Sequence, residues 1–497
     1  MPIDPDAVLA VDLGTTSTKA VLFAPDGAVL GEGAAGYPLA EPEPGAAVQD
    51  PEVVWEAVGD AVAAAVAGGA RPAAVSFSGA MHGLLGVDDR GDPVGPLLTW
   101  ADSRAAGVAA AWRSGAVDTT ALAQRTGTPV HAMSPLVKLA WLRRDRPSLH
   151  AAAARWGGPK EFVLGRATGR RVTDASCASG TGLRDLRSRT WDDEALALAG
   201  IGPEALDELV ATTQVVGPLV DRVADDWGVP RGLPVVAGAG DGPLANLGLG
   251  AVRPGVLACS IGTSGALRLT VDRPGVDARG RLFCYELTEQ RWVAGGAVTN
   301  GGVVLDWAAE SLGADVATLL SEAAAVPAGA DGLLAIPLLL AERAPRWDGA
   351  LGGAFLNLRR SHGRGHLTRA LLEGVCLQLR LVLESLREAG MAVDEVRATG
   401  GFARSVFWRG LLADVLGTPV GYPDGHQGSA WGAALLGMQA VGMLAPGVDA
   451  LTDAADRVRI GETTTPGAAA GLYRARIELV ERVHDELADV VDRLGTG

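Results

Sequence analysis

The sequence predicts an α/β protein of two related domains with a cleft between them. Three observations predict it. A short apolar run ending in glycine and small hydroxyl residues occurs twice, at Ala10-Val11-Asp12-Leu13-Gly14-Thr15-Thr16-Ser17-Thr18-Lys19 and at Cys259-Ser260-Ile261-Gly262-Thr263-Ser264-Gly265. A turn-rich junction, Gly250-Ala251-Val252-Arg253-Pro254-Gly255, separates the two copies. The chain has 497 residues, more than a single hydrophobic core usually organises. The expected domains are therefore 1–250 and 251–497.

The elements follow in order. Val8 to Val11, Thr18 to Phe23 and Val29 to Glu32 read as an opening β-meander, with Pro25-Asp26-Gly27 turning between the last two. Pro51 to Ala67 reads as a helix, capped by Asp50 and opened by Pro51. Ala73 to Ser78 is a buried strand, and Val87 to Val94 a hairpin around Asp88-Asp89-Arg90-Gly91. Ser134 to Arg144 is expected as an amphipathic helix, Ala205 to Leu209 as a short helix, and Val235 to Ala239 as a strand. The second half restarts with strands Val256 to Ile261 and Ala266 to Val271. Helices Gly302 to Ser311 and Leu367 to Glu388, strand Glu395 to Thr399 and helix Ser405 to Leu416 follow. Ala468 to Leu494 reads as a terminal helix whose charges form a solvated face.

Composition excludes several function classes. Hydrophobic residues make up 48% of the chain, enough for substantial cores. The net charge of −15 argues against nonspecific nucleic-acid binding, though a local pocket can still oppose the global sign. The four cysteines, Cys177, Cys259, Cys284 and Cys376, form no Cys-x-x-Cys pair, so neither zinc nor a disulfide framework is indicated. Met1 to Asp6 carries no basic leader region, and no apolar stretch is long enough for a membrane span. The expected location is a reducing cytoplasm.

The chemistry is expected at strand ends. Glycine permits the sharp turn and brings backbone N–H groups near a ligand, and Thr and Ser add donors. Asp12 at its strand end suits a metal, directly or through water. Either turn alone reads as a plain hairpin. Two of them, on two domains, suit a nucleoside triphosphate gripped from both sides. Neither is a Walker loop, because no Gly-Lys-Ser/Thr follows.

Val235 to Ala239 runs into Gly240-Asp241-Gly242, which leaves room for a substrate at the Asp241 carboxylate. A base is needed there if an alcohol is to accept a phosphoryl group. The alternative is a turn residue capping the helix from Leu244 to Leu249. Met81 and His82 sit in a polar loop after a strand, and Trp100, Asp102 and Arg104 cluster at another strand end. Such residues bind hydroxyls or a carboxylate, or else serve the core. Gly400-Gly401 before the helix at Ser405 suits backbone approach to an adenine or ribose, or a simple strand-to-helix turn.

Together these segments resemble the FGGY carbohydrate kinases, of the actin-like (ribonuclease H-like) superfamily, over about residues 8–440. Four motifs match in order: Asp12 to Lys19, Gly240-Asp241-Gly242, Gly262-Thr263-Ser264-Gly265, and Gly400-Gly401 with its helix. The two signature regions match at Met133 to Leu142 and at Gly353 to Glu373. Within the family the chain is most similar to the gluconokinases, through Ser76-Phe77-Ser78-Gly79-Ala80-Met81-His82, Thr99-Trp100-Ala101-Asp102-Ser103-Arg104 and Glu342-Arg343-Ala344-Pro345-Arg346-Trp347. Asn357, Asp145 and Leu340-Ala341-Glu342 depart from the family pattern.

The resemblance implies an interdomain catalytic cleft, ATP and Mg2+ as cofactors, and phosphorylation of D-gluconate to 6-phospho-D-gluconate. It puts Asp241 at the catalytic base and on the metal with Asp12. Thr15, Thr16, Gly262 and Thr263 fall at the phosphates of ATP. Gly302, Asp306, Gly401 and Ser405 fall along its nucleoside, and Met81 and His82 at the sugar. Trp100 and Arg104 are added for the gluconate end. Arg104, Lys138, Lys160 and Arg343 are the candidate partners for its carboxylate. The alternatives are a kinase for another polyol or ketose, such as xylulose or ribulose, and a nucleotide-binding regulator without kinase activity. The implied partners are a small sugar acid or polyol and, as in many relatives, a second copy of the chain.

Overall fold

A computed structural model describes residues 7–349, 351–424 and 428–494; Met1 to Asp6, read above for its lack of a basic leader, lies outside them. Two mixed sheets organise the chain. The first has the order Val215–Pro218, Pro234–Gly240, Ala74–Gly79, Val8–Leu13, Ser17–Phe23, Val29–Gly36. The second has the order Phe283–Thr288, Arg291–Val298, Gly265–Val271, Val256–Ile261, Glu395–Thr399, Val420–Pro423, Ile460–Thr464.

Both sheets repeat one plan. A strand pairs antiparallel with its successor, which pairs antiparallel with a third strand. On its other side the first strand takes a parallel neighbour, then another, closed by an antiparallel edge strand. The duplicated hairpin read from the sequence is thus the first turn of a duplicated sheet.

Local chemistry sets many elements where expected. Asp50 accepts the Glu52 N–H and Pro51 opens the helix Pro51–Val66, whose Val54, Val58, Ala61, Val62 and Ala65 are buried. Three expectations fail. Ala205 to Leu209 is not a helix: a 3-10 turn at Pro203–Ala205 leads into the strand Glu208–Val210, which pairs in parallel with Val172–Asp174. The ladder outcompetes a weak five-residue helical tendency. The terminal helix Ala470–Leu494 is also more than a solvated face. Tyr473 Oη donates to Glu373 Oε1 at 2.7 Å, and Arg476 and Arg369 donate to the same buried carboxylate. The helix Pro135–Asp145 is buried on more than one face, including Lys138 and Trp141.

The two sheets are joined by an exchange of helices. Asp241–Gly248 follows the first sheet but packs on the second, where Asn246 Nδ2 donates to the Arg268 carbonyl at 3.0 Å. Gly428–Ala440 follows the second sheet and packs on the first, where a Cβ on Gly437 would lie 2.7 Å from Val8 Cγ1. The helices touch backbone to backbone. A Cβ on Gly432 would lie 2.2 Å from the Leu244 carbonyl oxygen, and one on Gly248 would lie 1.9 Å from that of Gly428. Among the described residues no helix is long and apolar enough to cross a membrane.

Candidate active site

Asp241 is the first residue of the helix Asp241–Gly248. The strand before it carries a register shift between Val236 and Ala239. Gly238 sits there at φ 68°, where a Cβ would lie 1.7 Å from the Phe77 carbonyl oxygen. This bulge shifts the register and re-aims the chain, and pairing resumes with Ala239 opposite Ser78 and Gly240 opposite Gly79. Ser176 Oγ accepts the Gly240 N–H at 3.2 Å, and Lys160 Nζ donates to the Ala237 carbonyl at 3.0 Å, so the turn is held from below.

The Asp241 carboxylate is half-buried and accepts its neighbour Gly242 N–H at 2.7 Å. Burial and, after it, the nearby Asp12 charge raise its pKa to about 6, against the opposing pull of Arg268 and the backbone amides of Gly242 and Met81. Asp12 stands at the end of Val8–Leu13. Ser429 Oγ donates to its Oδ2 at 2.7 Å, while its buried Oδ1 has no hydrogen-bond partner. Two carboxylates near each other, with one oxygen unsatisfied, form a donor set that fits a hard divalent cation.

Six of the residues expected to bind the nucleotide come together. Gly262, Thr263, Gly302, Asp306, Gly401 and Ser405 all line one cavity of about 630 Å³, walled by Ile261, Leu305, Leu320, Phe402 and Trp408. Thr15 and Thr16 lie on the other hairpin. Trp100 Nε1 donates to Thr15 Oγ1 at 2.8 Å, and the Tyr37 N–H donates to the Thr16 carbonyl at 3.0 Å.

Met81 packs beneath the Asp241 turn, where a Cβ on Gly240 would lie 2.7 Å from its sulfur. His82 adopts φ 65°, and its Nδ1 donates to the Gly180 carbonyl at 2.8 Å. Its ring stands edge-on to Tyr285, with Nε2 3.4 Å from the hydroxyl. Burial and the Lys138 charge push its pKa down to about 3, so the ring is neutral and Nε2 is its acceptor nitrogen, facing the Tyr285 hydroxyl.

The four candidate cations differ sharply. Arg104 is tied to Asp102 at 2.7 Å and to Glu43 at 2.6 Å, and lies over Trp141. Lys160 is fully buried and paired with Asp174, whose charge outweighs burial and raises its pKa. Lys138 donates to the His82 and Thr99 carbonyls at 2.7 and 2.6 Å, and burial pushes its pKa down to about 7. Arg343 stacks over Trp100, 5.0 Å from the ring centre.

Sequence reasoning missed Arg268, Tyr285 and Ser429. Arg268 was signalled by a lone charge in the apolar strand Gly265–Val271, and Ser429 by the small-residue run that lets two helices meet. Tyr285 was signalled only as part of Leu282-Phe283-Cys284-Tyr285, a phrase shared with the gluconokinases, with nothing local to mark it as a site residue.

Known proteins bear on this site. The FGGY family of carbohydrate kinases, N-terminal domain, matches residues 7–248, and its C-terminal domain matches residues 257–441. The chain belongs to this family. It is 40% identical over 461 residues to a gluconokinase of Bacillus subtilis (strain 168), covering 90% of each chain. It is 30% identical over 437 residues to a xylulose kinase of the same organism, covering 86% of this chain and 87% of that protein. The crystal structure of gluconate kinase from Lactobacillus acidophilus superposes with a TM-score of 0.93 at 30% identity, covering 98% of this chain and 99% of that one. The enzyme is therefore a carbohydrate kinase with the family's two-domain, actin-like fold, and carbohydrate kinases use ATP.

Proposed function

We propose that the enzyme phosphorylates D-gluconate on its 6-hydroxyl, giving 6-phospho-D-gluconate and ADP, with Asp241 as the general base. The observation that carries this is Asp241 itself. It is a half-buried carboxylate with its pKa raised to about 6, at a helix start beside Asp12, Met81 and Arg268. A base with a pKa below neutrality is ionised at pH 7, yet far more basic than a free aspartate.

In this reading the chain divides at about residue 250, with nucleotide mostly on residues 251–497 and sugar acid mostly on 1–250. ATP lies in the cavity of Gly262, Thr263, Gly302, Asp306, Gly401 and Ser405, with its phosphates between the two hairpins. Asp12 and Asp241 would hold Mg2+, which supplies charge neutralisation on the phosphates when bound. The 6-hydroxyl oxygen forms the new bond to the γ-phosphorus and the bond to the ADP oxygen breaks. The hydroxyl proton passes to Asp241, and Arg268 offsets negative charge on the transferring group. His82 Nε2 accepts from a substrate hydroxyl, and Met81 and Trp100 wall the carbon chain.

Similarity to gluconokinases and a buried guanidinium, Arg343, with no carboxylate in ion-pairing distance among the described residues favour gluconate over a neutral sugar. The test is a panel of D-gluconate, D-xylulose, D-ribulose and glycerol with Mg-ATP, read by ADP release. Gluconate is expected to give the highest kcat/KM. A preference for xylulose, ribulose or glycerol overturns the substrate assignment.

A further inference from the structure

We propose that Arg343 is the residue that selects a carboxylate-bearing acceptor, by pairing with the acid end of the substrate opposite its reacting hydroxyl. This rests on the gluconate reading and names the group that enforces it.

Arg343 is 9% exposed. Its Nε donates to Thr299 Oγ1 at 3.2 Å and its Nη2 to the Val298 carbonyl at 3.0 Å. Among the described residues it has no carboxylate within ion-pairing distance, and its Nη1 makes no hydrogen bond. The neighbouring Glu342 carboxylate is occupied elsewhere. It accepts the Thr299 and Arg343 backbone N–H groups at 2.6 and 2.8 Å and Asn300 Nδ2 at 3.0 Å.

A buried guanidinium is normally paired, because taking its charge out of water is costly. The contrast within this protein is direct. Arg104, Arg184, Arg281 and Arg369 each sit within 2.9 Å of a carboxylate oxygen. Arg343 feels the Glu342 and Asp241 charges but makes no direct ion pair among the described residues, and it stands where the sugar-side residues converge. It lies on the face of Trp100, and its charge is felt by His82, His131, Tyr285 and Asp241. Both histidines are held neutral at this position, so neither competes for an anion. Trp100 fixes the guanidinium plane by stacking and is itself fixed by its hydrogen bond to Thr15.

Arg268 is a second guanidinium without an acid in ion-pairing distance, but it belongs to the phosphoryl side. Its Nη1 donates to Ser260 Oγ at 3.3 Å, on the strand entering the Gly262 hairpin, and its Nε faces Gly242. Lys138, also without an ion-pairing carboxylate, spends its ammonium on the His82 and Thr99 carbonyls, which leaves Arg343, with Nη1 unbonded, as the cation for the acceptor.

The test compares D-gluconate with D-gluconamide, which keeps the 6-hydroxyl and replaces the carboxylate by a neutral amide. In the parent enzyme the kcat/KM ratio of gluconate to gluconamide is expected to be at least about tenfold, through KM. In Arg343→Gln that ratio is expected to fall at least about tenfold. Arg343→Lys, which keeps the charge, should recover part of it. Equal loss on both substrates, or an unchanged ratio in Arg343→Gln, overturns the proposal. ADP affinity, read by calorimetry, confirms that each variant is folded. If Arg343→Gln does not fold, an Arg343→Lys ratio equal to the parent's overturns the proposal, and a reduced ratio supports it. A parent enzyme that phosphorylates gluconamide as well as gluconate overturns Arg343 alone. A parent inactive on gluconate overturns the gluconate reading as well.

Discussion

The two glycine-hydroxyl hairpins share a sequence pattern and a place in the sheet, yet differ in what surrounds them. The N-terminal turn is clamped by side chains: Tyr37 Oη donates to the Gly14 carbonyl at 2.7 Å, Gln49 donates to the Thr15 carbonyl, and Trp100 to the Thr15 hydroxyl. It carries the unsatisfied oxygen of Asp12. The C-terminal turn is clamped by backbone: the N–H groups of Gly301 and Val303 donate to the Thr263 carbonyl, and that of Gly302 to Gly262. Ser260 stands where the first copy has Asp12, and the turn opens onto the large cavity instead. A duplicated fold has thus divided its labour. One hairpin supplies charge and the other supplies room.

That division is open to being broken, beginning with the largest effect. Asp12→Asn is expected to lower kcat by at least about a hundredfold and to weaken the response to Mg2+, while ADP affinity without the metal stays within a few-fold. Titration calorimetry and steady-state rates check both halves. The pH profile follows from Asp241. Its pKa is raised, so the base is protonated as pH falls through about 6, and kcat/KM should then drop about tenfold per unit. The sign for stability is the reverse of activity: a folded-state pKa above the unfolded one destabilises the fold as pH rises through that window. Asp241→Asn should therefore raise the thermal midpoint at pH 7, measured by calorimetry.

The C-terminal hairpin should fail differently. A Cβ on Gly302 would lie 2.6 Å from the Gly262 carbonyl oxygen, so Gly302→Ala must displace the turn. We expect the KM for ATP to rise about tenfold with the gluconate KM little changed. The smallest effect is expected from Trp100→Phe. It removes one hydrogen bond to Thr15, worth about 0.5–1.5 kcal/mol, and should cost only a few-fold in kcat/KM.

Local signals explain what was legible in the sequence. The hairpins and the Asp50–Pro51 helix start are specified by residues adjacent in the chain and appear where read, whereas Asp241 and Gly242, read as a turn before a helix at Leu244, already form the first turn of the helix Asp241–Gly248. Six of the residues expected on the nucleotide are scattered between Gly262 and Ser405 and still line one cavity, because the motif order carried their placement. What was not legible depends on partners far away. Glu208 to Val210 becomes a strand because Val172 to Asp174 lies beside it. Ser429 reaches Asp12 only because two helices meet at glycines. Arg104 and Arg343 looked equivalent as cations, and only their neighbours show that the first is paired and the second is not.

The central claim is that Asp241 accepts the acceptor's proton between the two hairpins. Its most direct test is the turnover of Asp241→Asn with saturating D-gluconate and Mg-ATP, alongside ADP affinity by calorimetry. The account expects kcat to fall by at least about a hundredfold with ADP affinity retained. Turnover within a few-fold of the parent enzyme would contradict it.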